Sequence, residues 1–187
     1  LKNMPTDQHP ELMLAAVTRR EDPRDALVDR WNLPLDKLPE GARIGAGSLR
    51  RACQLLQLRP DLQVLDINAN VATRLWKARG EESDGVILAM ANLQGLGQEE
   101  EAAELFSPNV IVPAPGQGVL ALQVREGDEE IAQVLRSIAH AETALTVTAE
   151  RGLWQLLGGS RRLPFGAYAT VTGDTLTLTA MLATEGG

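Results

Sequence analysis

Cysteine is all but missing from this sequence. Cys53 is the only one, which excludes an internal disulfide framework and a cysteine-rich metal site and suits a reducing cytoplasm. Aromatic residues are nearly as scarce, at 3% against 44% hydrophobic residues, so a core has to come from Leu, Val, Ile and Ala, as is ordinary for an α/β enzyme. Positive charge is short as well: 18 Lys and Arg face 25 Asp and Glu, a formal net charge of −7. A nucleic-acid partner is therefore not expected. No apolar run approaches the roughly 20 residues that span a bilayer, so no membrane span is expected and a soluble cytoplasmic protein is. His9 and His140 are isolated, lack metal-ligand spacing and are read as structural. The chain starts at Leu1, inside what reads as a functional segment and with neither initiator Met nor signal peptide, so a fragment is expected.

The 187 residues that are present suffice for one or two domains. Short apolar runs alternate with helix-length segments, the pattern of βαβ units and a mainly parallel sheet. Strands are expected at Leu12–Val17, Ala26–Val28, Ala42–Gly45, Leu62–Ile67, Gly85–Met90, Val110–Val112 and Val119–Val124. "SLRRACQLLQLR" and "NVATRLWKARG" read as helices, "EEEAAELF" as the acidic start of another, and the stretch from Asp128 to about Gly158 as two helices broken near His140. "PAPGQG" (113–118) suggests a hinge or tight turn. Further on the period becomes two, and "ATVTGDTLTLTAMLA" reads as a hairpin turned at Gly173-Asp174.

Several stretches could carry chemistry. In "IGAGSLRR" a strand passes through small residues into a helix at Ser48, with Arg50 and Arg51 in the first turn. Free backbone N–H groups there favour an anion, and paired guanidinium groups bind carboxylate or phosphate bidentately. Two solvated surface arginines would read the same way. "LDINANVATRLWK" repeats the strand-to-helix pattern, with Asn70 as a cap and Arg74 one turn in; an ordinary capped helix fits equally. Gln117 sits between glycines ahead of a strand, where its amide could meet a ligand or simply belong to a turn. In "RRACQLL", Cys53 is read as a small buried apolar residue. The run Glu99–Glu101 is read as a solvated helix start.

Taken in order, "LKNMPT", "REDPRDALV", "SLRRACQLLQLRPDLQVLDINANVATRL", "DGVILAMANLQGLG", "VPAPGQGVLAL" and "ETALTVTAERGLWQLLGGSRRLPFGAYA" closely resemble the porphobilinogen deaminase (hydroxymethylbilane synthase) family over nearly the whole chain. The resemblance implies an α/β fold with type II periplasmic-binding-protein-like mixed sheets in domains one and two, and a small α+β C-terminal domain. Residues 1–22 and 113–138 would belong to domain one, 23–112 to domain two and 139–187 to domain three, with domains one and three incomplete. It also implies a monomer of tetrapyrrole biosynthesis. Such an enzyme carries a dipyrromethane cofactor on a loop cysteine and joins four porphobilinogen units, with release of ammonia, into 1-hydroxymethylbilane. By position, Lys2, Ser48, Arg50, Arg51, Arg74, Leu88, Ala89 and Gln117 match active-site residues of the family.

The departures fall on the chemistry. Where the family has its catalytic aspartate stands Asn3, and where it has the attachment cysteine stands Arg161, which cannot form a thioether. A helix-start threonine and serine are Ala46 and Gly47, an arginine and a glycine are Asn68 and Ala69, and a further arginine is Gly95. Three expectations compete: an ordinary synthase seen in part, a non-catalytic homologue that still binds a pyrrole or another polycarboxylate, and a decayed copy without a ligand. The Asn3 and Arg161 replacements count against the first.

Overall fold

A computed structural model describes residues 1–160 and 163–184. In chain order the elements are β1 (Leu12–Val17), β2 (Asp25–Asp29), β3 (Arg43–Ala46), α1 (Leu49–Leu58), β4 (Gln63–Leu65), α2 (Val71–Ala78), β5 (Gly85–Ala89), α3 (Met90–Gln94), β6 (Glu104–Leu105), β7 (Ala121–Arg125), α4 (Glu129–Arg136), α5 (Ala141–Leu156), β8 (Phe165–Thr172) and β9 (Thr175–Leu182). They form a five-stranded sheet in the order β4-β3-β5-β2-β6, a β1-β7 pair and a β8-β9 hairpin.

The central sheet is buried on both faces, and its strands show why. On β2 and β5 successive side chains point to opposite sides. Leu27 and Ile87 join Ile44 and Leu55 in one core cluster, while Ala26, Val28, Val86 and Leu88 join Leu75 and Ala78 of α2 in another. Such strands read as continuous apolar runs because both faces are covered. The sheet is mixed rather than mainly parallel: β3 runs parallel to β4 and β5, whereas β2 is antiparallel to β5 and β6. β3 reaches β4 through α1, and β4 reaches β5 through α2, so these strands share a direction. β2 instead enters from the irregular segment 18–24, and no crossover helix imposes that direction on it.

Two expected elements take other forms. Glu99–Glu101 is one 3-10 turn rather than a helix start, after which the chain becomes β6. The open edge of β2 takes the backbone instead: Ala103 N–H donates to Leu27 O and Phe106 N–H to Asp25 O. Val110–Val112 is not a strand either. Val110 and Ile111 N–H turn back to Ser107 O, and the Gln54 side-chain amide takes the place of a neighbouring strand, accepting from Val112 N–H at 2.7 Å and donating to Val112 O at 3.2 Å. "PAPGQG" forms a tight turn, with Gln117 N–H donating to Ala114 O at 2.9 Å. Gly118 has φ +78°, and a Cβ there would lie 2.6 Å from Glu21 O, so glycine is required.

The two helices separated near His140 are α4 and α5, and His140 Nδ1 accepts from Thr143 N–H to cap α5. His9 Nδ1 accepts from Glu11 N–H, also a structural role. The β8-β9 hairpin turns at Gly173, which has φ +57°. Among the described residues no helix is long and apolar enough to cross a membrane, and no cluster of His, Cys, Asp and Glu could hold a metal ion.

Candidate functional site

Asp25 begins β2 and shares a strand face with Leu27, so its carboxylate is delivered to the side where α1 starts. It is wholly buried. Ser48 is the N-cap of α1, accepting from Arg51 N–H, and this places Arg50 and Arg51 in the first turn above Asp25. Arg51 donates from Nε and Nη2 to Asp25 Oδ1 at 3.1 and 2.7 Å. Arg50 Nη1 lies 2.7 Å from Asp25 Oδ2 and donates to Val112 O at 2.7 Å; Oδ2 is held by the charge contact rather than by an aligned hydrogen bond. Burial alone would raise the Asp25 carboxyl, but Arg50 and Arg51 outweigh it and hold the group well below the usual carboxylate range.

The paired arginines are therefore neither solvated nor waiting for a first anion, as the sequence suggested. Both are 5% exposed and their nearest carboxylate is internal. Asp25 is the site residue that sequence reasoning missed. Its signal was an acid at the mouth of a fully apolar strand, in a chain that also has two adjacent arginines to neutralise.

Gln117 joins this group from the glycine turn. Its Nε2 donates to Pro23 O at 2.7 Å and to Asp25 Oδ1 at 2.9 Å, and its Oε1 accepts from Lys2 Nζ at 3.2 Å. Lys2 is thus tied through one amide to the buried carboxylate. Burial, with Arg51 adding to it and Asp25 opposing, pushes the Lys2 ammonium down to about 7. Arg74 reaches the same space from α2, whose N-cap Asn70 accepts from Thr73 N–H at 2.8 Å. Its Nε donates to Ala69 O at 2.8 Å.

These side chains surround a cleft of about 430 Å³. Lys2, Arg50, Arg51 and Arg74 line it, as do Asn3, Ser48 and Gln117, and no Asp or Glu among the described residues does. The opposite wall carries Trp154 of α5 and Phe165 of β8. Two expected site residues stand elsewhere: Leu88 and Ala89 are buried in β5, where Ala89 pairs with Asp25 of β2, and neither lines the cleft. Arg161 lies outside the described residues, although its neighbour Ser160 is part of the wall.

The family model for "Porphobilinogen deaminase, dipyromethane cofactor binding domain" matches residues 1–133, and that for "Porphobilinogen deaminase, C-terminal domain" matches 144–187. The chain belongs to the porphobilinogen deaminase family. Curated relatives named porphobilinogen deaminase include those of Roseiflexus castenholzii, 45% identical over 186 residues, and Sorangium cellulosum, 46% identical over 187; each alignment takes in 100% of this chain. The chain spans 61% and 62% of those two relatives' lengths. Among solved structures, the chain is similar to the methionine-binding protein MetQ, with 12% identity, a TM-score of 0.45 and coverage of 75% of this chain and 66% of that one. A periplasmic substrate-binding protein of an ABC transporter from Coxiella burnetii is similar at 15% identity and a TM-score of 0.45, covering 75% and 67%.

The dipyrromethane named for this family can be tested against the residues present. Its acid side arms fit a wall of cations. Among the described residues no thiol lines the cleft, and Cys53 is buried in α1 with its Sγ 3.7 Å from Thr184 O.

Proposed function

We propose that this chain binds a pyrrole bearing acetate and propionate side arms, porphobilinogen or a short oligomer of it, without joining such units together. The observation that carries the binding half is the cleft wall, which Lys2, Arg50, Arg51 and Arg74 line and no Asp or Glu among the described residues does; the buried Asp25 behind it pairs with only Arg50 and Arg51. Guanidinium groups hold carboxylates bidentately, which suits a ligand with several acidic arms.

Two replacements support the non-catalytic half. The family's catalytic carboxylate, which stabilises cationic pyrrole intermediates, corresponds to Asn3, a neutral amide on the cleft wall. Loss of a charge placed to stabilise a transition state commonly costs about 10²- to 10³-fold in rate. Arg161 in the cofactor loop offers no sulfur to prime the chain. In the same reading, residues 1–22 with 113–138, 23–112 and 139–187 are parts of three domains; each of the three sheets falls within one of these divisions.

The test is porphobilinogen consumption, with the intact mass of the same sample and titration calorimetry alongside. Binding without consumption, at an unmodified mass, is the expected result. Consumption together with a mass increase of a dipyrromethane would return the chain to the ordinary synthases, and no heat of binding would leave a homologue without a ligand.

A further inference from the structure

Three Trp, two Phe and one Tyr are all the aromatic residues of the chain, yet one Trp and one Phe meet on the same cleft wall. Trp154 stands in the last turn of α5, one helical turn beyond Glu150 and on the same face. The Glu150 carboxylate accepts from Gly116 N–H and Ala169 N–H, which fixes that face against the glycine turn and β8. Trp154 is thereby carried to the cleft, whose lining also includes Pro115 and Gln117 of that turn. It forms a core cluster with Phe165 and Ala167, against which Leu153, Leu163 and Leu178 pack, and is 6% exposed.

What this packing does not provide is a partner for the indole N–H. The group donates to no described residue, and it is not sealed in: among the described residues, the side-chain polar atoms both enclosed and unpartnered are Asp25 Oδ2 and Gln94 Oε1. The N–H therefore opens onto the space that Trp154 lines. A tryptophan buried this deeply ordinarily gives its N–H to an acceptor, because an unmet donor at a site of low polarity is costly. The cleft has no carboxylate of its own among the described residues to accept it, whereas an acidic ligand brings one.

We propose that Trp154 contacts the ligand directly: its indole N–H donates to a carboxylate arm of the bound pyrrole, and its ring with that of Phe165 forms the apolar wall that the pyrrole faces. This rests on the pyrrole reading of the cleft. Packing holds the indole in place before the ligand arrives, so little side-chain freedom is lost on binding.

The experiment is a porphobilinogen titration of the isotope-labelled chain, followed through the indole N–H resonances by NMR and by calorimetry on the same protein. Trp154→Phe, which keeps an aromatic ring and deletes the N–H, identifies the Trp154 signal by its disappearance. Trp31 and Trp76 line no part of the cleft and are 40% and 69% exposed, so Trp31→Phe and Trp76→Phe identify that signal by elimination should Trp154→Phe fail to fold. The expected result is a downfield shift of the Trp154 N–H alone, with binding in Trp154→Phe weaker by about tenfold, the loss of one hydrogen bond to a charged group. Heat of binding with an unmoved Trp154 resonance, or undiminished affinity in Trp154→Phe, would overturn the contact and leave the binding reading standing. No heat of binding in the parent chain would remove both.

Discussion

Lys2 is the residue on which the cleft's response to pH depends. Its ammonium falls from an ordinary 10.5 to about 7 because burial and the neighbouring arginines disfavour a further positive charge. A base lowered in the folded state costs stability where it is protonated. The cost is full below about pH 7 and fades as the pH rises from there towards the unfolded value. A polyanionic ligand works in the opposite direction, since it favours the charged form. Binding of porphobilinogen is therefore expected to take up protons above pH 7 and to weaken as the pH rises, by at most about tenfold per pH unit for one linked proton. Calorimetry in buffers of different ionisation enthalpy measures that uptake; affinity flat from pH 6 to 9 would show that Lys2 does not face the ligand. At this scale the sequence was readable for the cations and silent about their partner. Lys2, Arg50, Arg51 and Arg74 are conspicuous as charges, but the pairing with Asp25 and the bridge through Gln117 join residues far apart in the chain, and no local pattern encodes them.

Elements were legible where local chemistry is strong. Short apolar runs located β1 and β5, and Ser48 and Asn70 marked the starts of α1 and α2 because their side chains do at the helix terminus what the sequence suggests. Elements decided by a partner were not. β6 exists because the β2 edge was open, and Val112 is held by a glutamine side chain rather than by a strand. The cap on α2 yields a direct check. Asn70→Ala should lower the stability of the chain by about 1 kcal/mol in urea unfolding, while Asn70→Asp, which retains an acceptor for Thr73 N–H and adds charge suited to the helix start, should not. Equal losses in both variants would mean that the side chain matters to the cleft wall rather than to the helix.

For the molecule as a whole, the sequence conveyed the α/β class and, by resemblance, the C-terminal α+β unit, but not how that unit is attached. The attachment centres on Glu150, which is fully buried in α5. Its two oxygens accept from Arg20 Nη1 and Nη2 at 2.8 and 2.7 Å, from Gly116 N–H at 2.7 Å and from Ala169 N–H at 2.8 Å. One carboxylate thereby gathers the segment leading into β2, the glycine turn that carries Gln117, and β8. The same turn also contributes Gln117 O, which accepts from Arg20 Nε at 3.1 Å. The consequence concerns time rather than geometry. Two amides distant in the chain, those of Gly116 and Ala169, are shielded from solvent by a single latch, so neither is released unless Glu150 lets go. In hydrogen exchange they should be lost together at one common rate, and Glu150→Ala should accelerate both while leaving the central amides of β5 at their original pace.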